Sequence, residues 1–162
     1  MSRARSAFAS VSLLTLGLLA GCASKESSMT EDQLKAFATD YTAAWCGQVA
    51  SKVAAHFAST GSLTINAGTP AVGRDAITAS AQGFMSAFPD MIVAMDSVKV
   101  TGTGRAEYHW TLTGANTGPG GTGKRVRIHG YEEWTLADGL IATSLGHYDA
   151  AEYDRQLKVG VD

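Results

Sequence analysis

Apolar residues recur at every second position through much of the C-terminal half of the chain. From Arg105 to Thr113, the positions Ala106, Tyr108, Trp110 and Leu112 alternate with Arg105, Glu107, His109, Thr111 and Thr113. That period of two marks a strand with one buried face. Arg125 to Leu136 repeats it, with Val126, Ile128, Gly130, Glu132, Trp134 and Leu136 on one face and Arg125, Arg127, His129, Tyr131, Glu133 and Thr135 on the other. Glu132 is the exception on its apolar face. Leu140 to Asp149 puts Ile141, Thr143, Leu145, His147 and Asp149 on one side, so a face that begins apolar ends on two ionisable groups. Glycine-rich turns separate the three predicted strands, whose faces are expected to line a pocket.

The N-terminal half follows the helical period instead. Thr30-Glu31-Asp32-Gln33 fits a capping box, and its two acids suit the positive end of a helix dipole. Leu34, Phe37, Tyr41 and Trp45 then form one apolar stripe, closed by Gly47. Val49, Val53 and Phe57 predict a second short helix over Gln48 to Phe57, with His56 beside its stripe as a surface or half-buried residue. Ser62 to Ile65 and Ala71-Val72 read as short strands around the turn residues Asn66 to Pro70. A third helix follows Gly73, buries Ile77, Ala81, Phe84 and Phe88, and stops at Pro89. Met91 to Val100 is the next strand, and Ala150 to Leu157 suits a closing helical turn.

The extreme N-terminus changes the picture of where this domain works. Arg3 and Arg5 precede an apolar run from Ala7 to Ala20, too short to span a bilayer, and then Leu19-Ala20-Gly21-Cys22. This arrangement resembles a bacterial lipoprotein signal, with residues 1–21 removed and Cys22 lipidated. Residues 22–29 then make a small, polar tether, and the folded domain spans 30–162. Ala23 follows the cysteine, which favours the periplasmic face of the outer membrane if the source has one. The expected location is the cell envelope, with the membrane as a partner through the lipid. Without Arg3 and Arg5, 11 basic residues face 15 acidic ones, a net charge of −4. No basic patch of the kind that binds nucleic acid is present. With Cys22 lipidated, Cys46 is the one free thiol left in the mature chain, so no intramolecular disulfide is expected, and its place inside a helix suggests a small core residue.

Several motifs point to chemistry that their context does not support. Gly118 to Lys124 has the glycines and lysine of a phosphate loop, but Arg125 stands where Ser or Thr is needed, and a strand follows rather than a helix. His109 and His129, with a carboxylate such as Glu107, offer metal-ligand types; an outer sheet face, open to water or covered by a second subunit, also accounts for them. No metal and no cofactor is expected. The constellation that stands out is Asp149 with His147 and Glu132 near the aromatic residues Tyr41, Trp45, Phe88, Tyr108, Trp110 and Trp134. A carboxylate among such residues has its charged form disfavoured, which suits a general acid or base. The other reading has Asp149 capping the final helix and His147 bonding to backbone.

From about Thr30 to Gly160 the chain resembles a SnoaL-like domain of the nuclear-transport-factor-2-like superfamily. The residues that carry the resemblance include Tyr41 and Trp45, Val72-Gly73-Arg74-Asp75-Ala76-Ile77, Phe88-Pro89-Asp90 and Trp110-Thr111-Leu112-Thr113-Gly114 with Asn116. Asp138-Gly139-Leu140-Ile141 and Tyr148-Asp149 continue it. The resemblance implies an α+β fold: a cone-shaped, curved antiparallel sheet packed with three N-terminal helices around a pocket, dimerised through the sheet. In polyketide cyclases of this family an aspartate matching Asp149 is the general acid or base. The family's partner histidine falls near Trp134 here, and Asn116 stands where many relatives carry a histidine. The resulting expectation is a pocket for a small apolar or carbonyl-containing molecule, with cofactor-free cyclase, isomerase or dehydratase chemistry at Asp149, assisted by His147 or Glu132. A non-catalytic binding module is the alternative, and a homodimer or interaction protein using the outer face around His109, His129 and Tyr131 is a third.

Overall fold

In a computed structural model, residues 29–161 are described; the expected signal sequence, the expected lipidation site Cys22 and most of the expected tether lie outside them. Helix α1 (Glu31–Cys46) starts with the predicted capping box: the Thr30 hydroxyl accepts from the Gln33 amide, and the Gln33 side chain accepts from the Thr30 amide. It buries Leu34, Ala38, Tyr41 and Ala44, with Phe37 and Trp45 partly covered. Helix α2 (Ala50–Ala55) is shorter than the apolar spacing suggests. Phe57 is not its last turn but the first residue of β1 (Phe57–Ile65), fully buried and paired with Ile141. Strand β2 (Ala71–Val72) pairs back on β1, and α3 (Arg74–Ala87) ends ahead of Pro89.

Four long strands complete the sheet: β3 (Ile92–Gly102), β4 (Arg105–Ala115), β5 (Arg125–Ala137) and β6 (Leu140–Tyr148). The strand order is β2-β1-β6-β5-β4-β3. The sheet is mixed, because β1 runs parallel to β6 while its other pairings are antiparallel. The fully antiparallel expectation fails at this one seam, since β1 and β6 are joined through the whole of the sheet rather than by a hairpin. A fourth helix, α4 (Ala150–Val159), replaces the expected closing turn.

A single extra residue in β6 decides which side chains reach the interior. Leu136 pairs with Ile141, but Thr135 pairs with Thr143, so Ala142 has no opposite number on β5. Such a bulge reverses the facing of every later residue. Ile141 and Ser144 are three apart, and both are completely buried, which strict alternation forbids. Beyond the bulge, Ser144, Gly146 and Tyr148 look inward, while Thr143, Leu145 and His147 look outward. The sequence pattern, read without a bulge, places this second half of the strand the wrong way round.

Helix α4 closes the end of the sheet that β6 does not reach. The buried Gln156 accepts from the Arg127 amide (2.6 Å) and donates to the Arg127 carbonyl (3.0 Å), while the Val161 amide donates to the Arg125 carbonyl (3.1 Å). Deleting Ala142 restores strict alternation and turns Ser144, Gly146 and Tyr148 out of the core. It is expected to cost more than about 4 kcal/mol, exceptional for a one-residue change; denaturant unfolding matching the unaltered protein would show that the bulge is dispensable.

Candidate functional site

The inner faces of β4, β5 and β6 meet α1 and α3 over a half-open cavity whose space, open solvent at its mouth included, is about 550 Å³. Its wall is almost wholly apolar, with Trp45 from α1, Phe84 from α3, Trp110 and Leu112 from β4, and Tyr148 from β6. Glu132 is the one carboxyl on that wall. It sits on β5 opposite Gly146 on one side and Tyr108 on the other, and it is 7% exposed.

Three donors from three elements hold this carboxyl. Ser144 Oγ (2.6 Å) and Trp134 Nε1 (2.8 Å) both donate to Oε2, while the Tyr41 hydroxyl lies 3.2 Å from Oε2 and 3.3 Å from Oε1. Oε2 is therefore crowded with donors. Oε1 receives only the long Tyr41 contact among the described residues. Burial pushes the Glu132 carboxyl above the usual glutamate range, and the bonds from Ser144, Trp134 and Tyr41 pull the other way without cancelling the shift. Tyr41 is held well above the usual phenol range, chiefly by burial and then by the charge of Glu132, so it stays a donor. Aromatic packing fixes the set: Tyr108 stacks on Trp134 at 4.9 Å and 14°, and Tyr41 meets Trp134 edge-on at 5.3 Å. Tyr108 is turned away from Glu132 chemistry by a 2.7 Å hydrogen bond with Thr42.

The other expected acid–base residues are elsewhere. Asp149 is exposed and caps α4, accepting from the Glu152 amide at 3.0 Å, so it is not on the cavity wall. The bulge at Ala142 has carried His147 to the outer face, where it stacks on Tyr131 (4.7 Å) and lies 3.3 Å from Glu133. Of the expected trio, Glu132 alone reaches the cavity.

The aromatic residues divide between wall and support. Trp45, Tyr108 and Trp110 line the cavity; Tyr41 and Trp134 stand behind Glu132; Phe88 is buried against a smaller neighbouring space. Asn116 does not touch the cavity: it donates to the Ala87 carbonyl and accepts from the Thr122 amide, which folds the glycine-rich β4–β5 connection onto α3. Cys46 is exposed rather than in the core, its sulfur sharing hydrogen bonds with the Val93 backbone. His109 pairs with Glu107 (2.6 Å) and His129 with Thr111 (2.8 Å) on the outer face, and no group of three metal-ligand residues occurs among the described residues. Ser144 was missed by sequence reasoning because the bulge hid its facing. The available signal was size matching, since the small Ser144 and Gly146 stand opposite the large Trp134 and Glu132.

A sequence model of the SnoaL-like domain matches residues 38–144, about two thirds of the chain. The chain belongs to the SnoaL-like domain family. Solved structures agree on the fold. A protein from Jannaschia sp. CCS1 assigned as a SnoaL-like polyketide cyclase superposes with a TM-score of 0.70 at 17% identity, covering 85% of this chain and 99% of its own. A ketosteroid isomerase-like protein from Catenulispora acidiphila, solved with trimethylamine, gives 0.67 at 16% identity, over 75% and 92%. A phenazine biosynthesis-related protein from Pseudomonas aeruginosa gives 0.64 at 17% identity, over 82% and 93%. No functionally curated protein matches. At these identities the likeness is one of fold, so the chemistry of this SnoaL-like domain is argued from its own cavity.

The raised Glu132 carboxyl makes stability depend on pH in a definite direction. Because the fold favours the protonated form, its contribution is complete below the ordinary value near 4.5 and is lost as pH rises through the folded value. The unaltered protein is expected to lose stability relative to Glu132→Gln as pH is raised from about 4. Denaturant unfolding across pH measures this, and a difference that does not change with pH would show that Glu132 titrates as it does in the unfolded chain.

Proposed function

We propose that this SnoaL-like domain binds a small, largely apolar molecule carrying a carbonyl group, and that Glu132 rather than Asp149 moves a proton at the carbon beside that carbonyl, without a cofactor. One observation carries the proposal: a single buried carboxyl faces an apolar, aromatic cavity and keeps one oxygen, Oε1, largely free. Such surroundings raise a carboxyl toward the pH at which it exchanges protons efficiently. As the carboxylate, Glu132 takes the proton from carbon, and the C–H electron pair passes into the enolate. As the acid, it returns the proton to carbon and is a carboxylate again. Trp45, Trp110 and Phe84 keep water from competing for it. The names of similar folds, a polyketide cyclase and a ketosteroid isomerase-like protein, support chemistry of this class.

A second reading is binding without chemistry, favoured by the full set of donors on Oε2, which gives Glu132 a structural purpose of its own. Both readings are separated by incubating the protein with a methyl alkyl ketone in deuterated water and following α-deuteration by NMR. The proton-transfer reading expects accelerated exchange that falls at least about a hundredfold in Glu132→Gln and survives in Asp149→Ala, whose lost cap costs about 1 kcal/mol. Ketone binding with no accelerated exchange would leave the binding reading.

We further propose that the domain acts at the cell envelope as a lipid-anchored protein. The support is the lipoprotein-like run ending at Cys22 and the short polar tether that follows. Cys22→Ser is expected to abolish palmitate labelling and to release the protein from the membrane fraction; unchanged membrane partition would overturn the anchor.

A further inference from the structure

Beyond the Glu132 cavity, the same inner face of the sheet borders a second, smaller and half-open space of about 250 Å³, open solvent at its mouth included. Its own wall comprises Phe88, Ile128 and Tyr153, so it lies at the end of α3 and is bordered by α4. Four side chains belong to both spaces: Phe84, Trp110, Leu112 and Tyr148. The two spaces are therefore neighbours that share a wall. Along β5 the wall residue of the first is Glu132 and that of the second is Ile128, four residues on, or roughly 13 Å at strand spacing.

Trp110 is the largest side chain in the shared wall, and its setting is unusual. It stands opposite Gly130, and any side chain at that position would overlap the indole ring and approach the His147 carbonyl. The glycine is a notch cut for the ring. Nothing polar fastens the ring in place: Trp110 Nε1 is buried and has no hydrogen-bond partner among the described residues. By contrast, Trp134 on the neighbouring strand is tied through its own Nε1 to Glu132. A buried indole nitrogen without a partner loses a hydrogen bond that water would supply. The protein accepts that loss to put a broad, apolar plate at this point.

We infer that Trp110 is the partition that divides one apolar channel into two chambers, and that it thereby sets how long a tail the ligand can carry behind the polar end that meets Glu132. The inference rests on the reading that the Glu132 cavity holds a ligand. The ligand class it names is an unbranched or flat apolar chain with one carbonyl end, short enough to stop at the indole. Removing the plate joins the Glu132 chamber to the chamber under Phe88 and Tyr153.

A ladder of methyl n-alkyl ketones, from butyl to dodecyl, tests this by isothermal titration calorimetry against the unaltered protein, Trp110→Ala and Trp110→Ala with Tyr153→Trp. While the tail is entering apolar space, affinity is expected to rise about fourfold per added methylene. In the unaltered protein the rise should stop at a tail that fills the first chamber. In Trp110→Ala it should continue over several further methylenes, and filling the second chamber with Tyr153→Trp should return the break to its original length. Trp110→Leu carries the same comparison if circular dichroism shows that the alanine form has lost its fold. An unchanged break point in variants that bind the short ketones would overturn the partition and leave the pocket reading intact. No binding of any ketone by the unaltered protein would overturn the pocket reading and the partition with it.

Discussion

A carboxyl group buried almost completely among apolar side chains must be met by donors, and that requirement at Glu132 ties this structure together. The donors come from α1 through Tyr41, from β5 itself through Trp134 and from β6 through Ser144. Each such hydrogen bond contributes about 0.5–1.5 kcal/mol while the carboxyl is protonated and about 1.5–3 kcal/mol when it is charged, and leaving a partner buried and unmet costs about 1–3 kcal/mol. The aromatic packing follows from the same point. Trp134 cannot turn without losing Glu132, Tyr108 stacks on Trp134, and Thr42 on α1 fixes the Tyr108 hydroxyl. Helix and sheet are thus registered against one another by polar contacts in an otherwise apolar core.

The inner face reads as rungs across three strands, each mixing small residues with large ones. Ala106, Trp134 and Ser144 form one rung; Tyr108, Glu132 and Gly146 the next; Trp110, Gly130 and Tyr148 the third. Space removed from one strand is used by its neighbour's ring. This complementarity sets the depth of the cavity, because the surface that α1 and α3 cover is carved by the small positions as much as by the aromatic ones.

Much of this was legible in the sequence where a local rule and the tertiary structure agree. The capping box at Thr30, the end of α3 before Pro89, and the alternating faces of β4 and β5 all appear as read. Glu132 stood out as a charge on an apolar face, and it is the carboxyl of the cavity. The misplaced second half of β6 has one cause: a bulge adds a residue without leaving a mark such as glycine or proline, and Ala142 has no composition that announces it. That invisible shift moved His147 to the outer face and left Asp149 at the start of a helix. The short strand predicted at Ser62 began five residues early for a related reason, since Phe57 fits a helical spacing as well as it fits a pairing with Ile141.

The clamp that Gln156 and Val161 place on β5 acts on the strand's unfilled edge. Beyond Tyr148 strand β6 has ended, so the backbone of Arg125 and Arg127 would present open donors and acceptors on that side. A side-chain amide substitutes there for a peptide group, offering one acceptor and one donor at the spacing a seventh strand would use. Open ladder positions recruit strands from other molecules. By filling them from its own C-terminal helix, the chain denies that template to its neighbours, so the last turn of the fold also works against edge-to-edge pairing between copies.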